Sequence, residues 1–204
     1  MDRQKYIVSK SAIIGKNVEI MPGAVIGDNV IIGDNVRIFP YAVIGLEAQY
    51  SDHRRIDPSN KKVIIGSGTV LREFVTIHMP SDSTTTSVGE NCYLMATSHV
   101  GHDCDIGSNV TLSNSANIAG HVKIGNNTSV GLNVSIHQGS DIGMCCMIGA
   151  QSFFKGNSPP GIIWVGIPAR PIKVNTVGVK RAGLDRVKSE DIILTATKFI
   201  RAAV

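Results

Sequence analysis

Large aromatic side chains are scarce in this chain: one Trp, five Phe and four Tyr in 204 residues. Such a chain does not fill a wide core with rings and has to pack aliphatic residues tightly in a narrow one. No run approaches the ~18 apolar residues of a membrane-spanning helix, so no membrane span is expected. The start, Met1 to Lys10, is charged and has no apolar stretch of the kind a secretory leader carries. The four cysteines, Cys92, Cys104, Cys145 and Cys146, show neither zinc-ligand spacing nor a disulfide framework. Free thiols in a reducing cytoplasm are the expectation. Helix-turn-helix, zinc-finger and aromatic-basic patterns are also missing, which argues against nucleic acid as a partner.

What is present is a repeat. From Val88 through Leu94, Val100, Ile106, Leu112, Ile118, Ile124, Val130, Ile136 and Ile142 to Ile148, an aliphatic residue recurs at every sixth position. Gly often follows it, and Asn recurs three places later, as at Asn91, Asn109, Asn127 and Asn133. A helix or an ordinary strand would not keep this phase. A period of six predicts an all-β fold, a parallel β-helix of hexapeptide repeats. Three hexapeptides make a triangular coil of 18 residues, and the aliphatic residues stack inside. Gly and Asn are expected to supply the positive φ of the corners.

The same phase runs from Ile14 to Ile44 and again through Ile65, Leu71 and Ile77. Polar insertions break it near 46–62, with Glu47, Gln49, Asp52, His53, Arg54, Arg55 and Asp57, and near 79–87, a Ser/Thr-rich stretch. Insertions in repeat proteins often form the binding face. The expected organisation is a β-helix over 1–171 and a tail over 172–204. In the tail, Asn175 to Gly183 reads as extended or turning. One helix capped by Asp185 or Ser189 runs to about Ala203, with Ile192, Ile193, Ala196, Phe199, Ile200 and Ala203 on its apolar face. From Arg170 onward eight basic residues face three acidic ones, a charge suited to a phosphorylated substrate or an acidic carrier protein.

The 18-residue period turns distance along the chain into adjacency. It places His102 beside Gly120, Gly120 beside Gln138, Asp103 beside His121 and His99 beside Asn117. Histidines thus gather along one edge of the prism. A neutral imidazole can take a proton from a hydroxyl or amine attacking a thioester. His102 is the candidate base, Asp103 the group fixing its tautomer, and a backbone N–H near Gly120 the donor to the oxyanion. No serine or cysteine is paired as a nucleophile, which favours direct attack. Metal ligation is the competing use of clustered histidines, but the spacing of His99 and His102 does not favour it, and no metal is expected.

The segments Ser98-His99-Val100-Gly101-His102-Asp103-Cys104, Leu112-Ser113-Asn114-Ser115-Ala116 and Ala119-Gly120-His121-Val122 carry more than a repeat. With Arg72 to His78, Ile136-His137-Gln138, Asn175 and Gly178 to Gly183, this stretch resembles the acyl-carrier-protein-dependent UDP-N-acetylglucosamine O-acyltransferases of lipid A biosynthesis. The likeness spans about residues 10 to 185. It implies left-handed coils and a cytoplasmic homotrimer with active sites between subunits. The implied donor is an acyl-carrier-protein or CoA thioester, with no permanently bound cofactor. By position, His102 matches the general base, Asp103 and His121 its supporting groups, and Gly120 the oxyanion site. His99, His137, Gln138, Asn175, Lys180, Arg181 and His78 match substrate-binding positions, and Ala150 the region that limits acyl length. The chain departs from the family pattern at Met79-Pro80, at Gly166-Ile167-Pro168-Ala169 and at Val177. These changes touch substrate positions, so N-acylation of a dTDP- or UDP-linked amino sugar for surface polysaccharide is the alternative activity. A non-catalytic β-helical scaffold is the non-enzymatic one.

Overall fold

The computed structural model describes residues 6–49 and 57–203. Asp52, His53, Arg54 and Arg55 of the first insertion lie outside the described residues. The chain winds as a left-handed parallel β-helix of triangular section. Each face is a stack of two- to four-residue strands, with longer strands only in the closing hairpin of the third. The first face runs from Ile7–Val8 through His99–Val100 and Asn117–Ile118 to Phe153–Phe154, and the second from Ile13–Ile14 to Asn157–Ser158. The third runs from Glu19–Ile20 to a closing hairpin, Ile162–Gly166 with Ala169–Val174. The 18-residue register holds where it was expected: His99 pairs with Asn117, Val100 with Ile118, and Ile118 with Ile136.

The period-six residues fill the prism. Ile26, Ile32, Ile38, Ile44, Ile65, Leu71, Ile77, Leu94 and their successors to Phe154 are buried. Each contributes on the order of 1.5–3 kcal/mol by leaving water. Ile14 is 37 % exposed because it stands in the end coil, where stacking is one-sided. Asn and Gly both supply positive φ at the corners, as expected, Gly at Gly23, Gly68 and Gly139. Asn17, Asn29, Asn35, Asn91, Asn109, Asn127 and Asn133 take the positive φ. The glycine after the aliphatic residue instead permits close stacking: a Cβ on Gly107 would lie 2.8 Å from the backbone nitrogen of Asn126 in the next coil.

The tail differs from expectation. The strand Ala169–Val174 runs across the expected boundary at 171, and two helices follow it, α1 (Thr176–Arg181) and α2 (Arg186–Ala203), where one was expected. Tertiary packing makes α1 from a segment of modest helix propensity. Asn175 caps it by accepting from the Gly178 N–H, and Val179 is buried with Cys145 and Ile192. Asp185 caps α2, accepting from the Lys188 N–H at 2.9 Å. The apolar face of α2 seals the end of the prism through Ala196, Phe199 and Ile200, and the rings of Phe154, Trp164 and Phe199 pack in sequence.

Both insertions leave the prism at the same edge, where the first face turns into the second. One joins Val43–Leu46 to Lys62–Ile65 and the other joins Thr76–His78 to Thr85–Val88. The second is shorter than the sequence suggested, since Thr85 to Val88 are already strand.

Candidate active site

The first-to-second edge also carries the histidines. His102 and Asp103 lie on the corner after His99–Val100, Gly120 and His121 on the corner one coil on, and His137 and Gln138 on the next. His102 Nδ1 lies 2.7 Å from Asp103 Oδ2. The two rings of His102 and His121 meet edge to face at 5.0 Å. His121 Nε2 is 3.3 Å from Asp82 and 3.6 Å from Asp103. His78 and His99 form a second edge-to-face pair at 4.7 Å, and His99 Nδ1 lies 2.7 Å from the Thr76 hydroxyl. His137 and Gln138 are exposed, with His137 beside Phe153.

The environment sorts these groups by charge. Burial would raise the Asp103 carboxyl, but hydrogen bonds from Ser81, Ser83 and His102 outweigh it and hold it far below the usual range. Asp103 is therefore a carboxylate, and His102 Nδ1 has to be the donor to it. That fixes the lone pair of neutral His102 on Nε2. Burial first, then the neighbouring His99 and His102, push His78 down to about 4, and burial also lowers His99. Both stay neutral near pH 7. Cys104 is pushed up to about 12, chiefly by burial, so it is no thiolate nucleophile. All four cysteines are buried and free.

Gly120 is buried against His102. A Cβ there would lie 2.5 Å from Nε2 and 2.9 Å from Nδ1 of the imidazole. The Gly120 N–H has no acceptor among the described residues.

His102, Asp103 and His121 offer one ligand atom each, all within 4.8 Å of one another. That spacing would suit a cation, but the Asp103 oxygens already accept from N–H and O–H donors. A carboxylate so saturated is a poor metal ligand.

The other expected residues lie elsewhere on the chain. Asn175 and Arg181 line a groove of about 730 Å³ between α1 and the third face, together with Thr111, Ser129, Lys173 and Val177. In a triangular section that face is opposite the histidine edge. Asn175 is buried, and its amide is committed to the Cys145 carbonyl and the Gly178 N–H. Lys180 is exposed at the end of α1. Ala150 is exposed on the third-to-first edge. Within a single chain these residues do not meet His102. Sequence reasoning missed Ser81, Ser83 and Thr86, which surround Asp103; their only signal was the Ser/Thr-rich break directly after His78.

The bacterial transferase hexapeptide family (six repeats) matches residues 11–46 and 85–120. An acyl-[acyl-carrier-protein]–UDP-N-acetylglucosamine O-acyltransferase of Bartonella tribocorum is 47 % identical, over 88 % of this chain and 73 % of that protein. The Francisella novicida UDP-N-acetylglucosamine acyltransferase structure is 31 % identical with a TM-score of 0.81, covering 93 % of this chain and 76 % of that one. The Bacteroides fragilis UDP-N-acetylglucosamine acyltransferase structure is 30 % identical with a TM-score of 0.79, covering 100 % and 91 %. Among the described residues no helix is long and apolar enough to cross a membrane.

Proposed function

The chain belongs to the UDP-N-acetylglucosamine O-acyltransferase family of hexapeptide-repeat proteins, and from that premise we propose that it moves an acyl or 3-hydroxyacyl group from a carrier thioester onto UDP-N-acetylglucosamine. The observation that carries this reading is the His102–Asp103 pair lying against Gly120. His102 Nε2 takes the proton of an acceptor hydroxyl as its oxygen attacks the thioester carbonyl. The Gly120 N–H donates to the oxyanion, and the imidazolium is stabilised by Asp103. When the C–S bond breaks, the thiolate leaves and recovers that proton from His102. The ester bond formed balances the thioester bond lost, and no acyl-enzyme is needed. His121, between Asp82 and Asp103, supports the charge of the pair.

His99, His78, His137 and Gln138 line the acceptor side along the same edge. Lys180 and Arg181 serve the anionic nucleotide or carrier from a second subunit, and Asn175 supports them by capping the helix that carries them. Support for a trimer with sites between subunits comes from the separation of the two sets: one chain carries them on opposite sides. Ala150, on a further edge, sits where an acyl chain running between two prisms would end. The name of the Bartonella relative favours acyl-carrier protein over CoA as donor.

The test is mass spectrometry of products from a matrix of acceptors and donors. Acceptors are UDP-N-acetylglucosamine and UDP- or dTDP-linked amino sugars; donors are acetyl and 3-hydroxyacyl thioesters on both carriers. An ester of UDP-N-acetylglucosamine, formed at a rate about 10²-fold or more lower with His102→Ala, is the expected result. An amide formed only from an amino sugar overturns it in favour of N-acylation. A cellular activity unaltered by His102→Ala would point to a scaffold.

A further inference from the structure

The second insertion closes on one residue. Three successive backbone N–H groups, of Ser81, Asp82 and Ser83, lie 3.1, 3.2 and 2.7 Å from Asp103 Oδ1. Converging N–H groups of this kind form an anion-binding nest. The Ser83 hydroxyl donates to Oδ1 at 2.5 Å and the Ser81 hydroxyl to Oδ2 at 2.6 Å. Oδ2 also takes the His102 Nδ1–H at 2.7 Å. The backbone of Asp103 is pinned as well: its φ is +59° and its N–H donates to the Thr86 hydroxyl at 2.8 Å.

A carboxylate needs far fewer donors than this merely to stay ionised. What the extra donors fix is its orientation. The last torsion of an aspartate is otherwise broad and two-fold, so either oxygen can swing toward a partner. Here Oδ1 is fully engaged by the insertion, and only Oδ2 faces the imidazole. The Ser81 hydroxyl also lies 3.1 Å from His102 Nδ1, so the insertion touches the imidazole as well as its carboxylate. Among the other described residues, His121 packs edge to face, Asp82 sits behind His121, and His78 and His99 are paired with each other.

We propose that Ser81 and Ser83 are positioning residues for the acyl transfer: they lock the Asp103 carboxylate so that it holds His102 in the Nδ1–H tautomer, with its ring against Gly120. The insertion is then part of the machinery rather than a tolerated surface loop. This rests on His102 being the base, so the test has one arm that needs no turnover.

The variants are S81A, S83A, S81A/S83A and the hydroxyl-preserving S81T and S83T. Ser83 is exposed, so its two variants remain usable even if Ser81 tolerates no change. Kinetics with UDP-N-acetylglucosamine and a 3-hydroxyacyl thioester separate kcat from KM. For the double alanine variant kcat is expected to fall about 10- to 100-fold, part of what a general base supplies, with KM within about 3-fold. S83T is expected to retain the hydroxyl's effect and S83A to lose it. In parallel, imidazole 15N shifts read the His102 tautomer directly, mostly Nδ1–H in the wild type and mixed in the double alanine variant. A kcat within about 2-fold of wild type overturns the proposal, as does a loss unaccompanied by any tautomer change. If the wild-type protein forms no ester at all, the proposed function fails, and the tautomer measurement alone decides the positioning role.

Discussion

The ring of His102 occupies the space that a side chain on Gly120 would need, 2.5 Å from Nε2 to the missing Cβ. The backbone of Gly120 lies outside the left-handed region, so alanine brings no strain of its own. Gly120→Ala is expected to leave the coil standing and to displace the imidazole, which Asp103 cannot follow from its cradle. Turnover should fall about 10²-fold or more, close to His102→Ala. A thermal melt beside the kinetics checks it: a large loss of Tm would show that Gly120 serves the stack rather than the site.

A buried hydroxyl offers a second test. Ser98 is fully buried beside the site, and its Oγ has no hydrogen-bond partner among the described residues. An unsatisfied buried hydroxyl costs about 1–3 kcal/mol. Ser98→Ala should therefore be neutral or stabilise by about 1 kcal/mol in urea unfolding. A destabilisation of that size would reveal a partner for the hydroxyl in the assembled protein.

The pH dependence of stability has a sign fixed by His78. Its value falls from an ordinary 6.5 to about 4 on folding. Between these values the unfolded chain binds a proton that the folded one refuses. Stability contributed by neutral His78 is present above 6.5, is lost as pH falls toward 4, and changes no further below that. The whole effect is at most about 3 kcal/mol. Thermal melts across this window should slope downward toward acid, and His78→Gln should flatten the slope. His99, also lowered by burial, leaves a residual dependence in that variant.

Separation of the two residue sets predicts complementation. His102→Ala and Arg181→Ala, each inactive as a pure protein, should recover activity when co-expressed. Random mixing in a cyclic trimer leaves about a quarter of the sites with both native halves. Recovery to that order, measured on the purified mixture, is expected. A mixture as inactive as its parents would place both residues in a site made by one chain.

The columns of the prism were legible because counting suffices for them. A fixed period of six names every inward residue, and a fixed turn of 18 brought His102 to Gly120 and Asp103 to His121 before any coordinates. The cradle around Asp103 was not legible. Ser81 and Ser83 sit in a break of the period, and a segment without a period gives no count by which to say where it returns. The helix α1 was hidden for a different reason. Thr176, Val177 and Gly178 are weak helix formers, and the Asn175 cap and the burial of Val179 decide the matter through packing. The corner residues were read correctly, since Asn and Gly both take the left-handed corners, but the second use of glycine, close stacking of the coils after the aliphatic residue, was not foreseen.

Both insertions emerge at the edge that carries the histidines, and the coils on either side keep their order, with a one-residue register shift confined to Ile77–His78 against Ile44–Leu46. This gives the molecule two independent tolerances to change in length. One residue added inside the coils between His102 and Gly120 would slip every later side chain around the prism and part the imidazole from its glycine. At the edge, whole loops can be lengthened, shortened or exchanged while the coils stay in step. New acceptor sugars can therefore be explored by transplanting loop 47–61, whereas the 79–84 loop is tethered to Asp103 and has to keep its serines.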